Sequence, residues 1–177
     1  MGTALVVYES MYGNTERVAQ AIAEGLRDHV DAIVCEVGVA PDTLPDIELL
    51  VVGGPTHAFG MSRASTREDA ARSAARPVLS GRRGLREWTE ALSAPTTSVA
   101  LATFDTKVAR PRLPGSAAHA VSRRLRQLGM RPVCSPETFR VQGREGPLSE
   151  GELDRARDWG QSVARQWRRH GSSELAG

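Results

Sequence analysis

Ala4-Leu5-Val6-Val7-Tyr8-Glu9-Ser10-Met11-Tyr12-Gly13-Asn14-Thr15-Glu16 carries an apolar run straight into a hydroxyl-rich turn, after which Val18, Ile22 and Leu26 recur at helical spacing. The run is continuous rather than alternating, so it predicts a strand covered on both faces. The turn therefore sits at a helix N-terminus, where the first backbone N–H groups lack intrahelical partners and the helix dipole favours an anion. Ser10, Tyr12, Asn14 and Thr15 can surround a phosphate with neutral donors, and Gly13 permits a tight backbone approach. Asn14 or Thr15 could equally cap an ordinary turn.

Outward from this stretch the same alternation continues. Further apolar runs at Ala32–Val37, Leu49–Val52, Ser98–Thr103 and Pro132–Cys134, the last continued near Phe139–Val141, predict four more covered strands. Val121, Leu125 and Leu128 mark a helix that Gly129 stops. Thr66 is expected to cap a short helix ended by Pro77, and Leu85, Trp88 and Leu92 mark another. Ser149 and Glu152 read as a capping box before a last helix whose face holds Leu153, Ala156, Gly160, Val163 and Trp167. Strand–helix alternation implies right-handed crossovers and a three-layer α/β sandwich around a parallel sheet. Residues 1–171 are read as one domain and 172–177 as a flexible tail.

From Ser10 to Thr15 the sequence resembles the flavodoxin family, whose phosphate loop follows the pattern Thr/Ser-x-Thr/Ser/Tyr-Gly-x-Thr directly after the first strand. The resemblance implies a doubly wound five-stranded sheet in the order 2-1-3-4-5, with FMN at the switch point, the family being itself a type case of that rule. It places the flavin ring between the loops after strands three and four. The first loop offers Pro55, Thr56, His57, Ala58, Phe59 and Gly60, with flat faces or edges at Phe59 and His57. The alternative reading puts Phe59 in the core and His57 at the surface or in a hydrogen bond. The second is expected at Thr103, Phe104, Asp105 and Thr106, where Asp105 and the backbone could accept from the ring's N3–H edge. Family members carry a ring-stacking Tyr in this region; here none is near. The implied order also puts Cys35 and Cys134 on opposite sheet edges, about 19 Å apart, which excludes a disulfide between them.

The chain's 177 residues carry a formal charge of +2 that hides a strong segregation. Residues 1–60 hold two Arg against nine acids, whereas residues 61–177 hold twenty-one basic residues against twelve acids. Residues 61–86 contain seven Arg and two acids, and residues 106–136 contain six Arg, Lys107 and no acid. If these runs rim the cofactor mouth, they attract anions, in contrast to the acidic surround usual in flavodoxin electron carriers. The expected partner is a redox partner protein or a small anionic substrate.

No stretch approaches the ~20 apolar residues of a membrane span, and a soluble cytoplasmic protein is expected. Gly-Lys-Ser/Thr and Gly-x-Gly-x-x-Gly phosphate motifs are absent, and nucleic acid is an unlikely partner without a binding motif. The expected function is electron transfer through bound FMN. The alternatives are a flavin-dependent quinone-type reductase or oxidase, and a flavin-free binding scaffold.

Overall fold

The computed structural model describes residues 2–57, 59–112 and 114–174; Ala58 and the last three residues of the expected tail lie outside the described residues. Its elements run β1 (Thr3–Tyr8), α1 (Asn14–Leu26), β2 (Asp31–Glu36), β3 (Leu49–Pro55), α2 (Ala64–Ser73), α3 (Leu85–Ala91), β4 (Ala100–Val108), α4 (Ala117–Gln127), β5 (Arg131–Pro132), β6 (Glu137–Val141) and α5 (Glu152–Glu174). The helix thus passes the boundary expected at residue 171. Among the described residues no helix is long and apolar enough to cross a membrane.

The sheet is parallel, in the order β2-β1-β3-β4-β5, with β6 also paired to β4. Its five-strand order is the one the family resemblance implies, and the sixth strand is an addition along the same edge. Ala100 and Leu101 face Arg131 and Pro132, whereas Phe104 to Val108 face Glu137 to Val141. The edge is interrupted between Pro132 and Glu137, so Cys134 lies in the gap rather than in a strand. Pro136 has no N–H with which to continue the ladder. Both cysteines are free thiols, and burial pushes the Cys134 pKa up to about 11.

Continuous apolar strands serve two cores because successive side chains point to opposite faces. Val6, Leu49, Val51 and Phe104 join Val18, Ile22 and Leu26 on the α1 and α5 side. Leu5, Val7, Leu50, Val52 and Leu101 meet Leu85, Trp88, Val121 and Leu125 on the α3 and α4 side. Each fully buried aliphatic side chain contributes roughly 1.5–3 kcal/mol. The rings of Phe104, Phe139 and Trp159 meet edge to face at centroid separations of 6.1–6.2 Å.

Two helix starts differ from the sequence expectation. Thr66 is not the cap of α2 but lies three residues inside it, its Oγ1 accepting the Arg63 N–H at 2.9 Å. The Glu152 carboxylate does not reach back to Ser149; it accepts the Arg140 N–H and pairs with Arg155 at 2.8 Å. An arginine on the next helical turn and a strand N–H outcompete the local box.

Candidate functional site

The β1–α1 turn is built to leave donors unused. Helix α1 begins at Asn14 and its first helical bond runs from the Arg17 N–H to the Gly13 carbonyl, so the N–H groups of Asn14, Thr15 and Glu16 have no acceptor within the helix. Gly13 makes the turn with φ 88°, a left-handed conformation that favours glycine. Its N–H donates to Ser10 Oγ at 3.0 Å, which leaves the Ser10 hydroxyl proton for another acceptor. The turn is braced from behind: the Ser10 N–H donates to Ser80 Oγ, the Ser80 N–H to the Ser10 carbonyl, and the Leu79 N–H to the Met11 carbonyl. The Tyr12 hydroxyl is buried and has no hydrogen-bond partner among the described residues.

A cleft of ≈ 280 Å³ opens beside this turn. Of the residues expected from sequence, Ser10, Met11, Tyr12, Asn14, Thr15, Pro55, Thr56, His57 and Thr106 line it together. Thr15 and Thr106 share a hydroxyl–hydroxyl bond of 2.7 Å that ties α1 to β4. His57 and Gly60 exchange two backbone bonds of 2.9 Å, closing a tight turn with Phe59 at its tip. Phe59 has φ 74° and is 59% exposed, so its ring belongs to the surface rather than to the core, two residues along the chain from the cleft-lining His57.

Thr103, Phe104 and Asp105 do not reach the cleft. The stretch expected as a loop is strand, because β4 runs on to Val108 between Gly53–Pro55 of β3 and Glu137–Val141 of β6. Its backbone is therefore engaged in the sheet. Thr103 is buried, and the Phe104 ring lies in the α1-side core. Asp105 Oδ2 accepts from Thr56 Oγ1 at 2.9 Å, Ser116 Oγ at 2.6 Å and the Ala118 N–H at 3.1 Å. It holds Thr56 and the start of α4 in place from beneath.

Thr66, Asp69, Lys107, Val108, Val141 and Arg144 complete the cleft; none is among the expected cofactor-binding residues, Thr66 being read as a helix cap and Lys107 as part of a basic run. Gly143 and Gly146-Pro147 signal a turn there, but nothing local says what that turn covers. Four of the basic residues expected at the mouth are used elsewhere. Arg67 is buried against Ser62 and Glu87, Arg72 pairs with Glu68 and Asp69, Arg83 with Asp42, and Arg86 donates to the Met61 and Ser62 carbonyls. Of the two basic runs only Lys107 lines the cleft. Burial, with Arg144 and Arg67 adding to it, holds the His57 pKa below its ordinary value, which favours the neutral imidazole.

Residues 6–159 match the family model for flavodoxin. The chain belongs to the flavodoxin family. Among solved structures, a flavodoxin from the domain Archaea is similar with a TM-score of 0.64 at 19% identity, over 94% of this chain and 99% of that one. Oxidised flavodoxin 1 from Bacillus cereus is similar with a TM-score of 0.66 at 16% identity, over 95% and 98%. A rubredoxin oxygen:oxidoreductase from Desulfovibrio gigas gives 0.64 at 17%, over all of this chain and 38% of that one. At such identities these structures show a common fold. No curated protein matches the sequence. In the flavodoxin frame the cleft lies beyond the C-terminal ends of β1 and β3, at the switch point where doubly wound sheets take their ligands. Flavodoxins are flavin-binding electron-transfer proteins.

Proposed function

We propose that this flavodoxin binds FMN, with the phosphate on residues Ser10 to Thr15, and that it transfers electrons through the bound flavin. The observation that carries the proposal is the buried, unpartnered Tyr12 hydroxyl in a turn that also presents the Ser10 hydroxyl and the free N–H groups of α1. A buried hydroxyl without a partner costs roughly 1–3 kcal/mol, and a phosphate oxygen would remove that cost. The donor set is suited to an oxyanion, since hydroxyl and amide groups converge on one helix end.

Pro55, Thr56 and His57 would border the flavin beyond its phosphate, and Phe59 supplies an exposed aromatic ring at that edge. Bound FMN supplies the electron chemistry. The protein's part is to position it: Asp105 fixes Thr56, and the Thr15–Thr106 bond fixes α1 against the sheet. His57, kept neutral by burial, can accept or donate a hydrogen bond without adding a charge to the cleft.

Purified protein should show flavin absorbance, or should bind added FMN stoichiometrically; a colourless protein that takes up no FMN overturns the proposal and favours a flavin-free scaffold. Lys107 and Arg144 in the cleft favour a second reading, a flavin-dependent reductase or oxidase acting on a small anionic substrate. Turnover of NAD(P)H with a quinone acceptor, without an added reductase, would identify that enzyme. Its absence, with reduction by a partner protein, would identify a carrier.

A further inference from the structure

We infer that Arg144 is a cationic clamp on the FMN phosphate, fixed over the β1–α1 turn by a hairpin that the turn itself anchors. This rests on the FMN proposal above and adds to it a residue that discriminates phosphorylated from unphosphorylated flavin.

The hairpin between β6 and α5 is closed by an antiparallel bridge of Val141 with Leu148, and by backbone bonds from the Gln142 N–H to the Pro147 carbonyl and from the Gly146 N–H to the Gly143 carbonyl. Asn14, the first residue of α1, donates from Nδ2 to the Glu145 carbonyl at 3.0 Å. Gly146 lies so close to that amide that a Cβ there would come within 2.7 Å of it, and its φ of 107° favours glycine as well. Arg144 is therefore carried by a turn registered to the helix N-terminus that is proposed to hold the phosphate.

Its charge has no other evident use. Arg144 lines the cleft together with Ser10, Tyr12, Asn14 and Thr15, and among the described residues it has no carboxylate within ion-pair distance. The Lys107 ammonium donates to the Gly115 carbonyl at 2.6 Å. Asp69, the acid lining the cleft, is engaged by Arg72 at 3.5 Å. Burial lowers the His57 pKa, and the Arg144 charge adds to that shift. A guanidinium fork suits phosphate oxygens and would add a charge to the neutral donors of the turn. A phosphate held between dipole and cation should bind best as the dianion, which forms above about pH 6.

The test is a flavin-fluorescence titration of the full-length apoprotein with FMN and with riboflavin, at low and high salt, for wild type, Arg144→Gln and Arg144→Lys. Arg144→Gln should weaken FMN about 10-fold, as expected for loss of one charge-assisted bond, while riboflavin affinity stays unchanged and the salt dependence of FMN binding shrinks. Arg144→Lys should fall between the two. Because Arg144 is exposed, unchanged circular dichroism and Tm should accompany the loss. Where riboflavin binds too weakly to measure, the salt dependence decides. Equal FMN affinity and equal salt dependence in wild type and Arg144→Gln overturn the clamp while leaving FMN binding in place. Equal weakening of both flavins, with unaltered salt dependence, also overturns it. A wild-type protein that binds no FMN removes both readings.

Discussion

Glu9 precedes the β1–α1 turn by one residue and is 1% exposed. Its Oε2 accepts the Leu85 N–H at 2.8 Å, while Oε1 has no partner. Burial raises its pKa above the ordinary 4.5, and hydrogen bonds from Ser62 and Leu85 together with the Arg67 charge oppose this without cancelling it. The folded chain therefore keeps a proton that the unfolded chain gives up above that value, and stability is lost as pH rises through the raised pKa. Glu9→Gln removes this titration. Its Tm should improve relative to wild type as pH is raised from about 5 to 8, measured by thermal melts in a pH series; parallel curves would show that Glu9 titrates normally. Nothing in the sequence marks Glu9, because a carboxylate at the end of an apolar run looks like the solvated start of a loop. Only the arrival of α3, whose first N–H meets it from 76 positions away, makes it a buried acid.

At the scale of elements, the apolar strands and the stripe of Val18, Ile22 and Leu26 were legible because their periods follow directly from backbone geometry. The end of β4 was not. Asp105 and Lys107 are poor strand formers and read as loop, but pairing on both sides draws them into the sheet, and three donors converge on Oδ2 of the buried Asp105 while its Oδ1 has no partner among the described residues. The β1–α1 turn of the cleft is contiguous in sequence, whereas Thr66, Asp69 and Arg144 come to the cleft from other elements with no local signal. The crossing of α1 and α5 is likewise visible only in three dimensions. A Cβ on Gly160 would lie 2.3 Å from the Ile22 carbonyl, and one on Gly25 2.0 Å from the Arg157 carbonyl. Helix propensity alone would have Gly160→Ala stabilise by about 1 kcal/mol. Steric conflict with backbone should reverse the sign, destabilising by about 1–3 kcal/mol. Denaturant unfolding checks this, and a more stable variant would mean that the helices separate at little cost.

For the whole molecule, the charge segregation along the chain is partly undone by folding. Arg83 of the basic remainder meets Asp42 of the acidic first third, and Arg157 meets Glu24. Such exposed pairs add little to stability, so they say more about how opposite ends of the chain come together than about what keeps them there. The α1–α5 contact joins residues 133 positions apart, as in the Arg157–Glu24 bond, and this has a consequence for the order of events during synthesis. The turn proposed to grip the phosphate leaves the ribosome before α5, and the helix behind it stays bare on one side until α5 has emerged. Closing so long a loop is entropically costly and slow. Ligand competence should thus be among the last properties the nascent chain acquires. In refolding followed by pulse-labelled hydrogen exchange, amides of α1 should become protected together with those of α5 and after those of β1 and β3; early protection of α1 would show that the sheet alone suffices to hold it. A flavin present during translation would then meet a receptive turn only once α5 had docked.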